Sequence, residues 1–358
     1  MFFKGDVMRR CFYCRLGVVL AELICLGLLT AGAQTPVYTV TDLGTFGGVR
    51  SAAFSINNSG QVAGFAETVD GRSQAFVYTN GTLFNLGTLG GADSYAYRIS
   101  DSGFVIGRAT NAGGRNRAFV TILNSSMFDI SSLDTRLGGS FSVALGVNGS
   151  GQVVGYFHSS TDHKASRNRV FLYSNHQVTD LGAFGGEDGI VTAINDAGQM
   201  VGAYGTEPKA DYAERTAFLY SGGKVINLGT FGGKVTTAAD LNNTGQVIGW
   251  SQTTGGEFHA FIYSGSVLTD LGVLPGGTQS FAYAINNSGQ VVGASDSAAS
   301  TLHAFLYSAG QLRDLNSLIP ANTGWVLTEA RDINNSGQIA GNGIKDGQQR
   351  AFLLTPIK

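Results

Sequence analysis

The chain has 358 residues and a formal net charge of −2 at pH 7, with 43% of its residues apolar and only 13% charged. That balance excludes an intrinsically disordered chain, and without any Lys/Arg-rich run there is no basic face for nucleic acid. Glycine is abundant at 52 residues and proline scarce at 5, the composition of many short strands joined by tight turns.

Residues 1–33 differ from everything that follows. Lys4, Arg9, Arg10 and Arg15 precede an apolar run over 16–29, and Ala31-Gly32-Ala33 closes it. A basic start, an apolar middle and a small-residue end predict a secretory signal peptide. Glu22 interrupts the run and leaves it short of the ~20 apolar residues a spanning helix needs, so a membrane anchor is the weaker reading. Cys11, Cys14 and Cys25 all fall in this leader. The Cys11–Cys14 spacing has no second cysteine pair and no nearby histidine, so neither a zinc site nor a disulfide is expected in the mature chain. The prediction is a single domain over 34–358, secreted or held at the cell envelope, without a cofactor and without a membrane span. The end at Pro356-Ile357-Lys358 carries no apolar helix with a basic tail, so no C-terminal anchor is expected either.

The stretch 37–43, Val-Tyr-Thr-Val-Thr-Asp-Leu, matches the strand-like 176–181, His-Gln-Val-Thr-Asp-Leu. Beyond it the hexapeptide INNSGQ recurs with small variations, its glycine at Gly60, Gly103, Gly151, Gly198, Gly245, Gly289 and Gly337. A period of ~40–50 residues is that of four-stranded propeller blades. The sixth unit shows the pattern. Residues 280–286 alternate small and large and predict a first strand, and Asn287-Ser288-Gly289 makes the hairpin turn. Residues 290–293 form a short β-branched second strand, and 303–307, His-Ala-Phe-Leu-Tyr, a third. After Ser308-Ala309-Gly310 turns the chain, 311–315 is the fourth. The third-strand phenylalanine is expected between neighbouring blades. The residue before it varies (Gln74, Arg117, Arg169, Thr216, His259, His303, Arg350), which suggests a solvated edge and a structural role for both histidines.

The repeat starts and stops out of phase. The last unit ends on its third strand, 351–354, and the segment 37–43 supplies the missing fourth. The predicted architecture is therefore all-β: a closed seven-bladed propeller of four-stranded antiparallel blades, with 39–43 paired to 351–354. If the first strand is innermost, the INNSGQ turns share one face. The Gly-Gly connections between blades share the other with the variable loops over 156–169 (His158, His163, Lys164) and 203–216 (Glu207, Lys209, Asp211, Glu214).

At DLGTFGG, INNSGQVVG and HAFLY the chain resembles the bacterial extracellular HAF repeat family, over nearly all of 37–354. The resemblance implies a secreted or surface repeat protein and carries no activity with it.

Chemistry is thinly signalled. The six Gly-Gly connections lack the following helix that a phosphate cradle uses, and the uncharged Asn57-Asn58-Ser59-Gly60 turn lacks the carboxylates of a calcium loop. Aspartate at the repeated DLG position (Asp42, Asp180, Asp270, Asp314) gives way to Asn85 and Asn227, which suggests a turn-forming hydrogen bond rather than a needed charge. The acidic residues that break the repeat are Asp93, Glu187 and Asp188, after Gly-Gly pairs, and Trp325 replaces the usual connection in the seventh unit. Trp325 suits a sugar-stacking platform or a plug, with the plug preferred. These four are the expected ligand contacts, on the face away from the INNSGQ turns, and replacing Glu187, Asp188 and Trp325 by alanine is expected to weaken binding while leaving thermal stability nearly unchanged. No catalytic or metal-ligating residue is singled out. A monomeric, non-enzymatic binding or scaffold propeller is expected, its partner an extracellular protein or glycan. The other reading is a polysaccharide lyase or glycosidase working at the channel mouth.

Overall fold

In the computed structural model, which describes residues 37–357 except 138, 140, 159–166, 206–213 and 299–300, every repeat is a four-stranded antiparallel sheet. The leader expected at 1–33, its cysteines, and His163, Lys164, Glu207, Lys209 and Asp211 lie outside the described residues. Blade one is built from Gly47–Ile56, Val62–Thr68, Ser73–Thr79 and Thr82–Asn85, in that spatial order, and six further blades repeat the meander. The first strand is innermost, and each inner strand packs on those of its two neighbours around one axis. Among the described residues no helix is long and apolar enough to cross a membrane.

The INNSGQ segment makes the hairpin because two of its residues meet special demands. Its glycine sits at φ between 74° and 83° in all seven turns, a left-handed geometry that costs a residue with a Cβ. Its first asparagine is a hub. Asn57 Oδ1 accepts the backbone N–H groups of Ser59 (3.1 Å) and Gln61 (2.9 Å). Its Nδ2 donates to Gln61 Oε1 (2.9 Å) and onward to the Ser100 carbonyl of the next blade (3.0 Å). Asn148, Asn195, Asn242 and Asn286 likewise reach the next blade, and Asn334 Nδ2 returns to the Asn57 carbonyl at 3.1 Å. Blade two has Ser100 at this position, and Ser102 Oγ makes the link instead, donating to the Gly149 carbonyl at 2.6 Å.

Closure is as the phase offset predicts. Strand Tyr38–Asp42 pairs antiparallel with Gln348–Pro356, with Val40 opposite Leu354 and Asp42 opposite Phe352. The core lies between blades: Phe76, Phe119, Phe171, Phe218, Phe261, Phe305 and Phe352 are all fully buried. Phe76, for example, joins Ile56 of its own blade to Ala340, Ala351 and Leu353 of blade seven.

The residue before each of these phenylalanines is not at a solvated edge. None of the seven is exposed, and Arg117 and Gln74 are buried. Four of them meet the aspartate of the outer-strand DLG position in their own blade. Asp180 is 2.9 Å from Arg169, Asp270 and Asp314 are each 2.7 Å from His259 and His303, and Asp42 is 4.0 Å from Arg350. Where that position is Asn85 or Asn227, the residue before the phenylalanine is the neutral Gln74 or Thr216. Aspartate and asparagine are thus not interchangeable here, as the sequence had suggested: the charge follows its partner.

Candidate functional site

All seven inner strands carry a β-bulge at the same place, three residues before the turn asparagine. The register slips between Ala53 and Ser55, Ala96 and Arg98, and Ala144 and Gly146. The same slip recurs between Val191 and Ala193, Ala238 and Asp240, Ala282 and Ala284, and Ala330 and Asp332. A bulge leaves one residue unpaired and re-aims its side chain. The seven unpaired residues are Phe54, Tyr97, Leu145, Thr192, Ala239, Tyr283 and Arg331. Each is half-buried, and all seven line one cavity of about 240 Å³ on the axis.

The axis is therefore layered. At the turn end a cup of about 160 Å³ is lined by the turn residues over an aliphatic collar of Ile56, Ile99, Val147, Ile194, Leu241, Ile285 and Ile333. The carboxylates at this rim are tied to neighbouring turns. Asp101 accepts the Asn58 N–H and Nδ2 groups at 2.8 and 2.7 Å, and Asp196 accepts the Gly149 N–H at 2.8 Å and Asn243 Nδ2 at 2.7 Å.

Above the collar an ionic bar crosses the axis. Arg98 of blade two reaches Asp240 of blade five (3.4 Å) and Asp332 of blade seven (3.7 Å). Asp332 also accepts from Ser55 Oγ (2.7 Å) and the Ile56 N–H (2.9 Å) of blade one, and Asp240 from the Ile285 N–H (3.2 Å) of blade six. Burial pushes the Asp240 carboxyl up to about 6, even though Arg98 pulls the other way. Burial raises Asp332 too, against Arg98 and three hydrogen bonds. For Arg98 burial opposes the charge, but the two carboxylates outweigh it and the guanidinium is held protonated.

Beyond the bar lies the larger cavity, with unlike halves. Blades six, seven, one and two contribute Tyr283, Arg331, Phe54 and Tyr97, an arc of rings and one guanidinium. Blades three to five contribute only Leu145, Thr192 and Ala239, and Trp250 from the second strand of blade five completes the wall. Trp250 stands edge-on to Tyr283 (6.3 Å) and Phe281 (5.8 Å). Phe54 lies 5.5 Å from Tyr97, and Arg331 lies 4.3 Å over the Tyr283 ring. Burial raises the Tyr97 phenol and pushes that of Tyr283 up to about 12, so both remain neutral donors. Arg98 lines this cavity as its floor, whereas Asp240 and Asp332 do not. An aromatic wall with a few polar groups is the make-up of a small-ligand site.

The four residues expected from sequence stand elsewhere and do not come together. Asp188 is buried in an ion pair with Arg215 (2.9 Å) and accepts the Asn168 N–H of blade three (2.8 Å). Asp93 does the equivalent two blades earlier, accepting the Ser73 N–H of blade one at 3.0 Å. Both carboxylates therefore staple a blade to its predecessor. Glu187 is half-exposed and paired with Arg167. Trp325 is buried, edge-on to Phe352 at 5.9 Å, and fills blade seven as a plug. None of the four lines either axial cavity. Alanine at Asp188 or Trp325 would accordingly remove packing rather than a free surface. Residues of the axial cavity went unnoticed in sequence. Their signal is the alignment of the seven repeats on the turn asparagine: in the two columns before the aliphatic collar, charge and aromatic bulk appear in some repeats and not in others. Among the described residues no three of His, Cys, Asp and Glu come together as a metal site.

Residues 234–352 match the family described as "Protein of unknown function (DUF3466)". No curated protein matches the sequence. Among solved structures the chain is similar to the β-propeller domain of the Trilobed protease from Pyrococcus furiosus, at 12% identity and TM-score 0.51, covering 73% of this chain and 82% of that one. It is also similar to a puromycin-hydrolyzing peptidase of Mycobacterium tuberculosis (11% identity, TM-score 0.54, 90% of this chain and 55% of that one). An acylaminoacyl peptidase of Pyrococcus horikoshii is similar at 9% identity and TM-score 0.55, over 88% and 54% of the two chains. The chain spans about half the length of these two peptidases. At such identities the likeness is one of fold alone.

Proposed function

We propose that this protein is an extracellular binding propeller that takes one ring-sized unit of a glycan into the axial cavity and performs no chemistry on it. The observation that carries the reading is the lopsided lining: three rings and a guanidinium from four neighbouring blades face Leu145, Thr192 and Ala239 across the axis. Aromatic faces against the C–H face of a sugar supply affinity, and phenol, guanidinium and threonine groups supply orientation. A symmetric ring of identical blades would offer no such preferred pose. The extracellular placement is supported by the leader expected at 1–33 and by the resemblance of the repeat motifs to the extracellular HAF family. Titration of the full chain with a panel of oligosaccharides tests the reading. Trp250→Ala and Tyr283→Ala are each expected to weaken binding at least tenfold without unfolding the protein. Unchanged affinity in both variants would remove the pocket from consideration.

A glycan-cleaving enzyme is the second reading, and one observation favours it: the Asp240 carboxyl, at about 6, could give or take a proton near neutrality beneath the cavity floor. Against it, Arg98 stands between both carboxylates and the cavity. Release of reducing ends from any glycan of the panel, lost in Asp240→Asn, would decide for the enzyme.

A further inference from the structure

The inference rests on the axial cavity being the binding site and concerns the charge of what it takes. Arg331 lines the cavity with its guanidinium 4.3 Å over Tyr283 and 5.8 Å from Phe54. Arg108 lies in the same way 4.8 Å over Tyr95, which is 6.4 Å from Tyr97 of the cavity wall. Among the described residues neither guanidinium is in an ion pair, and the Nε of each is buried without a hydrogen-bond partner. The carboxylates near Arg331 are otherwise engaged. Asp332 serves Ser55, Ile56 and Arg98, and Glu329 accepts from Asn342 Nδ2 at 3.3 Å. Arg98, by contrast, is compensated twice over. The floor of the cavity is thus neutralised from below, while its wall holds a positive charge whose partner, the Tyr283 hydroxyl, is neutral.

A guanidinium laid flat on an aromatic ring keeps its in-plane N–H edge for an acceptor, and that edge matches a carboxylate. The cavity, at about 240 Å³, falls below the ~300–1,000 Å³ that enclose a drug-sized molecule and suits about one ring. We propose that the ligand is an acidic sugar, a hexuronate unit whose ring packs on the aromatic arc and whose carboxylate meets Arg331.

The test is calorimetric titration of the full chain with digalacturonate and with its methyl ester, which has the same ring and no charge. The acid is expected to bind at least tenfold more tightly, the worth of a charge-assisted hydrogen bond, with a preference that shrinks as salt rises. Arg331→Gln should erase the preference, so that the acid binds no more tightly than the ester. Arg331→Lys, which keeps charge and stem, should retain part of it. Equal affinity for acid and ester, both lost in Trp250→Ala, would overturn the acidic ligand and leave the pocket standing. A preference that survives Arg331→Gln would also overturn it. Failure of both probes to bind would overturn the inference and the glycan reading together.

Discussion

Asp180 shows how much one side chain does in this fold. One carboxylate oxygen accepts the Gly182 N–H at 2.9 Å and fixes the turn after the outer strand, and the other meets Arg169. Asn227 makes the same turn through its amide oxygen, with Gly229 N–H at 2.8 Å, and its blade has Thr216 where blade three has Arg169. The repeats thus contain a natural double substitution. Arg169→Thr alone should destabilise the protein by up to about 1 kcal/mol, the range of half-exposed ion pairs. Adding Asp180→Asn should recover most of that loss, because the pair then copies blade four. Denaturant unfolding of the two singles and the double would measure the coupling, and strict additivity would contradict the pairing.

At the scale of the strand, the bulge and the second-strand glycine belong together. The slip that turns a side chain towards the axis also presses an inner-strand carbonyl against the neighbouring strand. A Cβ added to Gly293 would lie 1.9 Å from the Phe281 carbonyl oxygen and 2.8 Å from the Phe305 ring, and Gly64, Gly155 and Gly341 are as tightly placed. This explains the closing glycine of INNSGQVVG, which the hairpin itself does not require. Gly293→Ala should cost about 3 kcal/mol, at the upper end for overpacking, because backbone rather than a flexible side chain must yield. In contrast, Gly310→Ala meets no neighbouring atom and suffers only from its φ of 77°. Melting temperatures of the two variants would separate close approach from backbone conformation.

For the whole ring, stability depends on the axis and on the seam. Asp240 has a folded-state pKa of about 6, above the value of a free carboxylate. The native state therefore holds that proton more tightly than the unfolded chain does. Its contribution to stability is full at low pH and is lost as pH rises through about 6. Glu67, Asp134, Glu214 and Asp296 are shifted downward, so their contributions run the other way and fade only at more acidic pH. Between about pH 4 and 6 this group should make the native protein lose stability as pH rises, and Asp240→Asn should flatten that slope. A slope unchanged by the substitution would place the buried proton elsewhere. The seam is the other point of dependence. Strand Tyr38–Asp42 completes blade seven, and Leu43 N–H donates to the Ala351 carbonyl at 3.0 Å. Deleting residues 35–44 should lower the melting temperature far more than removing ten residues from the loop over 203–216, since only the first opens the ring.

The sequence by itself determined the number of blades, the order of strands within each and the strand that closes the ring. These follow from local chemistry: a turn glycine at positive φ, alternating strands, and a repeat out of phase at its two ends. It separated the two faces only on the condition that the first strand is innermost, and the packing of the seven first strands around the axis met that condition. Only the tertiary structure decided what meets on the axis. Arg98, Asp240 and Asp332 lie in three different blades, and no spacing along the chain brings them together. The bulge is a matter of register between strands, so Phe54, Tyr97, Tyr283 and Arg331 read as ordinary strand residues until pairing slips beside each of them. Asp93, Asp188 and Trp325 erred in the opposite direction. They depart from the repeat because neighbouring blades need a staple or a plug at those points, and a break in a pattern does not by itself tell packing from binding.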